Sequence, residues 1–201
     1  MKWYKDIYPN EDEPSYGGSY VSETGDAHEK YNFLPITIDD KEYCSGFFET
    51  KTTNRETRNQ LHIEKIEGAS SSDDSVEGVL VVWCARADTN RSTVVGWYKN
   101  ATVYRQYQEI NIDFGDDEPI DRAYNVWANV EDCVLLPQDE RNVNKWRVPR
   151  EKYTRTYGFG QANVWFASED SAKPYIEQLV QSINDYKGKN WLYRWPPSAG
   201  I

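Results

Sequence analysis

Two neighbouring apolar runs constrain the fold of this chain more than any other feature. The first, GVLVVWCARA from Gly78, is continuous, of strand length and rich in β-branched residues, which is typical of a buried central strand. The second, STVVGWYKNATVYRQ from Ser92, combines β-branched and aromatic residues and is interrupted by Lys99 and Asn100. Because the turn-forming sequence ADTNRS connects them, we expect the two runs to pair as a hairpin.

Further segments are expected to extend this sheet. Strands are predicted at Glu42–Phe48 and in AYNVWANVEDCVLLP, where Val126, Ala128 and Val130 share one face and Trp127 takes the other. The segment LHIEKIEG fits either a strand or a short helix. The fold class predicted from these elements is α+β, with a β-barrel-like sheet.

One amphipathic helix is expected near the C-terminus. In SEDSAKPYIEQLVQSINDYKG, the residues Ile176, Leu179, Val180 and Ile183 recur at helical spacing. Pro174 fits the first turn, Ser168 or Ser171 is a candidate cap, and Gly188 is a candidate C-terminal stop.

The chain length fits one domain with an extension. We expect residues 1–40, which are acidic, aromatic and rich in turn-forming residues, to be an extension that packs on a core domain of residues 41–201. No signal peptide or membrane-spanning window is evident, and the three cysteines fit neither a disulfide framework nor a zinc site. A cytoplasmic location with reduced thiols is expected.

Charge limits the possible partners. The formal net charge of −10 disfavours a protein that coats nucleic acid, because such a surface repels phosphates. Between positions 141 and 155 the balance reverses to six basic residues against Glu151, so this segment is either a local basic surface or a solvated loop.

Catalytic constellations are weak. His28 and His62 stand in unrelated contexts, and neither a nucleophile elbow nor a phosphate loop is present. The nearest enzymatic interpretation is a metal-dependent nuclease, in which Asp39, Asp40 and Glu49–Lys51 would imitate an acid, acid-x-lysine arrangement that holds a divalent ion and orients water. The acidic run of residues 113–118 could bind calcium or magnesium, although a solvated loop is favoured there.

Binding constellations are stronger, since the chain contains 8 Trp and 15 Tyr. In Gly96–Asn100 a glycine permits close backbone approach, two successive rings must point to opposite faces, and an amide can read a base edge or occupy a bulge. In Gly158–Phe166, glycines and amides accompany three rings, as a base-sized pocket requires. A third group combines Gly17–Tyr20 with Tyr31–Phe33.

The order of Gly78–Ala87, Val94–Tyr98, Tyr124–Pro137 and the sequence WRVP at 146–149 resembles the PUA-like superfamily, in particular its EVE and YTH branches. The segments GGSYV, VVGWYKNATVYR and GFGQANVWF also resemble bacterial PUA-like domains of modification-dependent restriction systems. The resemblance implies a PUA-like β-barrel with flanking helices and the C-terminal amphipathic helix. It further implies that a flipped, modified base is held in an aromatic cage and that the result passes to a nuclease effector.

The leading prediction is therefore a non-catalytic reader of modified DNA or RNA that needs no cofactor or metal. Candidate cage walls are Trp97, Tyr98, Trp165, Trp83 and Tyr31. Candidate readers of the base edge are Asn100, Gln161, Asn163 and Asn32, and candidate phosphate contacts are Lys99, Arg147, Arg150 and Arg155. The alternatives are a protein-interaction module and the nuclease.

Overall fold

The sheet is organised around one very long strand. A computed structural model describes residues 28–50, 60–86, 92–112, 119–160 and 162–194. Its strands are β1 (Pro35–Ile38), β2 (Lys41–Gly46), β3 (Ser75–Arg86), β4 (Ser92–Ile112), β5 (Ile120–Asn129), β6 (Cys133–Leu135) and β7 (Arg147–Val148). β4 has 21 residues and pairs with four of the others.

All strand pairs are antiparallel, and the main order is β1-β2-β5-β4-β3. The first half of β4 pairs with β3 and with the short strands β6 and β7, whereas its second half pairs mainly with β5. Because one strand serves different partners along its length, the sheet curls into a half-barrel. The protein is therefore an α+β protein with a curled antiparallel sheet and few helices.

Three register shifts interrupt the β3–β4 pairing and bend the hairpin, and one of them falls between Trp83 and Cys84. Between Val81 and Val79 on β3, the partner strand contains one extra residue beside Asn100, whose φ is 50°. A second bulge lies beside Gly78, whose φ is 73°. Each bulge increases the local twist of the sheet. The sequence left two roles for Asn100, reading a base edge or occupying a bulge, and in the structure Asn100 occupies a bulge.

The predicted hairpin is confirmed, but β3 is an edge strand and the expectation of a central position is wrong. Its sequence is continuously apolar because both of its faces are at least partly covered. Val81 and Trp83 pack on one side of the sheet, while Leu80 and Val82 pack on the other. Burial on two faces gives the same sequence pattern at an edge as in the middle of a sheet.

Two hydrophobic clusters cover these faces, and each of them contains one of the two adjacent rings of β4. Tyr98 belongs to the larger cluster inside the curl with Phe33, and Trp97 belongs to the outer cluster with Trp146 and Leu179. The two rings thus point to opposite faces as predicted. Both are nevertheless buried, because the C-terminal helix covers the second face.

Short helices occupy the connections. The α-helices are α1 (Glu151–Thr154) and α2 (Lys173–Asn184). The 3-10 helices are His28–Tyr31, Ile63–Lys65, Val130–Asp132, Gln138–Glu140, Asn144–Trp146, Asp170–Ala172 and Trp191–Arg194. The segment LHIEKIEG thus contains a short helix, not a strand.

Helix α2 is the predicted amphipathic helix, with Leu179 and Ile183 buried and a proline in its first turn. Its ends differ from the prediction. Neither serine caps it, because a 3-10 turn precedes it and the Ser171 hydroxyl donates to the Thr156 carbonyl. It ends before Asp185, three residues short of Gly188.

The sheet begins within the segment expected to be an extension. β1 lies before position 41, and Phe33 is in the core beside it. Residues 1–27 of the predicted extension lie outside the described residues. None of the helices in the described part of the chain has the length and apolarity to cross a membrane.

Candidate ligand-binding cleft

A cleft of about 700 Å³ lies along the outer edge of β3, and it is called the β3 cleft below. One wall is Val79–Ala85 of β3, and another is Ala162–Ser168, which has no regular secondary structure. The rest of the lining comes from β4, β5 and residues near positions 29–32, 47–48, 61–67 and 150–159. Within the described ranges β3 pairs with β4 alone, so its outer edge is not covered by another strand. The volume lies in the range of roughly 300–1,000 Å³ that is usual for small-molecule sites.

Several of the residues that line this cleft are aromatic. The six rings are Phe47, Phe48, Trp83, Phe159, Trp165 and Phe166. Trp83 and Phe47 are buried, and the other four are partly exposed. Rings at this density offer flat apolar faces to a flat ligand.

Trp165 is held by its neighbours. Its ring stacks on Tyr157 and Tyr175, with centroids 6.3 and 6.1 Å away and interplanar angles of 23° and 28°. Its indole N–H donates to both carboxylate oxygens of Glu169, at 3.1 and 2.9 Å. Because both the ring and its polar edge are fixed, Trp165 forms a preorganised wall.

The segment that carries Trp165 is anchored by Gly158. This glycine has φ 113°, and a Cβ there would lie 2.6 Å from the Pro149 carbonyl oxygen. The close approach lets the Phe159 N–H donate to that same oxygen at 3.0 Å, while the Glu151 N–H donates to the Phe159 carbonyl at 3.1 Å. The glycine thus fixes where this wall begins.

Charged and polar groups are distributed around the rings. Arg150 donates to the Ser92 hydroxyl at 3.2 Å and to the Gly160 carbonyl at 3.4 Å, and it makes no ion pair with a described carboxylate. The Lys65 ammonium lies 5.5 Å from the centre of the Phe166 ring. Burial raises the pKa of the Glu29 carboxyl above its usual value. The cleft therefore contains both cationic donors and a carboxyl group.

The structure brings five of the predicted site residues to this cleft. They are Trp83, Trp165, Asn32, Asn163 and Arg150. Asn163 is exposed and uses its amide N–H to reach the Glu49 carbonyl at 3.0 Å, which leaves its Oδ1 without a protein partner in the described ranges. Asn32 is different, because both ends of its amide bond the backbone of Phe47, at 2.8 and 2.9 Å. Asn32 is therefore a structural support of the cleft.

The other predicted cage walls lie elsewhere. Trp97 is 1% exposed and packs on Trp146 and Tyr186, and Tyr98 is fully buried. Tyr31 is buried under the Arg122 guanidinium, which lies 5.1 Å from its ring centre. None of the three has an accessible ring face, because both sides of β4 and the start of the described chain are packed.

The remaining predicted polar residues also lie away from the cleft. Asn100 donates to Asp132 at the β4 bulge, and Lys99 donates to Asn184 of α2. Arg155 is exposed at the end of α1 with φ 64°. Arg147 lines a separate groove beside α2. Gln161 lies outside the described residues.

Most of the cleft residues were absent from the predicted set, and four of them carry part of the argument. These four are Phe48, Phe166, Lys65 and Glu29. Phe48 is the last residue of a predicted strand, and Phe166 is the last residue of the predicted pocket segment Gly158–Phe166. The sequence therefore indicated the region of both rings, but not these two residues. Lys65 and Glu29 lie in irregular segments, where no periodicity indicates which side chains converge.

The nuclease alternative gains no geometric support. Asp39 and Asp40 form the exposed turn between β1 and β2, both with positive φ. Among the described residues no cluster of three or more His, Cys, Asp or Glu side chains could hold a metal ion. Lys51 and the acidic run of residues 113–118 lie outside the described ranges.

Comparison of this chain with protein-family models, with curated proteins and with solved structures finds no match. The geometry of the β3 cleft is therefore the basis on which a function is argued.

Proposed function

We propose that this chain is a non-catalytic reader of modified nucleic acid, which holds an extruded modified base in the β3 cleft. The observation that carries the proposal is a cleft of about 700 Å³ whose lining includes six rings, four of them partly exposed, together with Arg150. A flat heterocycle gains from stacking on such walls, and an added methyl group gains from apolar contact.

The energies are compatible with base capture. Extruding a base from a duplex costs a few kcal/mol, and stacking on an aromatic side chain returns about 1–3 kcal/mol for each base. The preorganised Trp165 loses little rotational freedom on binding, and three further rings, Phe48, Phe159 and Phe166, are partly exposed along the cleft. A single-stranded site would avoid most of the extrusion cost.

Polar groups supply a means of reading the base edge. The free Oδ1 of Asn163 accepts hydrogen bonds, as would the carboxyl of Glu29 when ionised. Acceptors of this kind suit an exocyclic amino group, which cytosine and adenine both carry. Arg150 supplies a charge for phosphate at the same margin.

The half-barrel is compatible with a PUA-like fold, and we include that assignment in the proposal. In this scheme the chain acts as the sensor of a bacterial restriction or defence system, and a nuclease acts as its effector. Such a sensor needs no catalytic residues of its own.

Oligonucleotide binding tests the proposal. Fluorescence anisotropy would compare one sequence, single-stranded and duplex, carrying unmodified cytosine, C5- or N4-modified cytosine, or N6-methyladenine. We expect tighter binding of at least one modified form. Trp165→Ala should weaken that binding by about 5- to 150-fold, which corresponds to the loss of about 1–3 kcal/mol of stacking.

The matched control is Trp127→Ala. Trp127 is also partly exposed and packed on rings, Tyr43 and Tyr124, but it lies on β5 away from the cleft. It should leave binding unchanged. Circular dichroism melts would establish that both variants fold, and Arg150→Gln offers a second, milder test. Equal binding of all forms, or none, would overturn the proposal.

A protein-binding module is the second candidate, because the outer edge of β3 pairs with no other described strand. An extended peptide could add to such an edge through backbone hydrogen bonds. Salt-insensitive binding of peptides from a library, together with no binding of any oligonucleotide, would favour this candidate over the reader.

A further inference from the structure

A second concavity lies beside the β3 cleft, and it is called the α2 groove below. Its volume is about 720 Å³. One wall is formed by Asn144, Lys145, Arg147 and Pro149, and the other by residues 175–182 of α2. It is open and shallow, so it suits a chain lying along the surface more than an enclosed small molecule.

The charge of the first wall is positive. Lys145 and Arg147 are exposed, and neither forms an ion pair with a described carboxylate. The Lys145 ammonium lies 4.8 Å from the centre of the Trp146 ring, which restricts where this charge can move. The net charge of the chain is −10, so two cations in one groove without a described carboxylate partner form a locally positive surface.

The second wall is mainly polar and uncharged. Gln178 and Gln181 line the groove, although the Gln181 amide N–H donates to Asp185 at 2.7 Å, and Glu177 is the one carboxylate among the lining residues. Amides and cations together match the oxygen atoms of a phosphodiester backbone. The carboxylate of Glu177 would repel phosphate, so removing its charge provides a test of phosphate binding in the groove.

The groove and the cleft are adjacent. Tyr175 lines the groove, and its ring stacks on Trp165, which lines the cleft, at 6.1 Å. Likewise Pro149 lines the groove and its neighbour Arg150 lines the cleft. The two concavities are therefore separated by one pair of rings and one peptide bond.

We infer that the α2 groove binds the sugar-phosphate backbone of the same nucleic-acid strand whose base occupies the β3 cleft. The inference rests on the proposed function, since it names the path of the strand that the cleft would read. Contacts in the groove would add affinity without sequence or modification preference, because they reach phosphates and not bases.

The test is the salt dependence of oligonucleotide binding. Each phosphate neutralised on a single strand contributes about −0.7 to the slope of log K against log salt. Lys145→Gln with Arg147→Gln should therefore make the slope shallower by about 1.4. It should weaken modified and unmodified oligonucleotides by the same factor, so that their ratio is preserved.

Two further variants sharpen the result. Glu177→Gln should tighten binding, because it removes the carboxylate from the groove. Lys41→Gln with Lys187→Gln removes the same charge from exposed positions outside both concavities and should change the slope less than the groove variant.

The two proposals fail in different ways. If Trp165→Ala abolishes selective binding while the groove variant keeps the slope of the original protein, the α2 groove is refuted and the cleft stands. If the original protein binds no oligonucleotide at all, both proposals are refuted.

Discussion

Gly96 provides a demanding test of the packing between β4 and β6. A Cβ at this position would lie 2.3 Å from the Val134 carbonyl oxygen and 2.6 Å from the Phe33 ring. Both distances are well inside the roughly 3.5 Å at which nonbonded heavy atoms balance. Gly96→Ala therefore forces β6 away from β4, next to the pairing of Gly96 with Leu135.

The size of the loss in unfolding free energy depends on which atoms the new Cβ would meet. Overpacking a core typically costs about 1–3 kcal/mol, and the upper end applies here because a backbone carbonyl cannot rotate away. We expect Gly96→Ala to lower the free energy of unfolding by about 3 kcal/mol or more. For a chain of this size, that corresponds to a fall in melting temperature of about 6–12 °C.

Urea unfolding followed by tryptophan fluorescence would measure the change from the midpoint and slope. Gly160→Ala is the matched control, since its Cβ would meet only the end of the flexible Glu151 side chain, at 2.9 Å. The control should cost less than about 1 kcal/mol. A loss below about 1 kcal/mol in Gly96→Ala would show that β6 is not packed against β4 as described.

Three further predictions concern other parts of the molecule. Trp97→Ala should cost about 3–5 kcal/mol in urea unfolding, because the ring is core, and should keep the preference for modified bases under folding conditions; a selective loss of that preference would restore Trp97 to the site. Desolvation raises the pKa of the Cys84 thiol to about 12, so little thiolate forms at pH 8, and alkylation by iodoacetamide should be slow in the native protein and fast after denaturation, as mass spectrometry would show; rapid native labelling would contradict the raised pKa of this thiol. A hydrogen bond from Arg105 lowers the pKa of Glu64 to about 2, so its stabilising effect is complete above the unfolded value near 4.5 and is lost as pH falls toward 2. Melting temperatures of the original protein and Glu64→Gln should therefore converge over that range, and parallel curves would refute the coupling.

The strands were predictable because their local patterns are strong. The β-branched run of β3 and the periodicity of α2 identified both elements from the sequence. The position of β3 was not predictable in the same way, because burial on two faces is produced here by α2 and residues 162–168 packing on an edge. Sequence periodicity reports how many faces are buried, not which elements cover them.

In the candidate site, too, some residues could be predicted from local sequence patterns and others could not. The segment around Trp165 was identifiable because glycines, amides and rings are adjacent there. The pair Trp97–Tyr98 has an equally aromatic sequence, yet both rings are core because Trp146 and Tyr186 cover the outer face. Lys65 and Glu29 reach the cleft through tertiary packing of irregular segments, which carries no local signal.

Photo-crosslinking would test the central claim most directly, because it identifies the residues that touch the recognised base. A single photoreactive base would replace the recognised position in an oligonucleotide that the protein binds, and mass spectrometry would locate the covalent products. Capture of the base in the β3 cleft predicts crosslinks to Trp165, Phe166 or Phe48 that an excess of unlabelled modified oligonucleotide abolishes. Crosslinks confined to residues outside the cleft, such as Trp127, would contradict the proposed function.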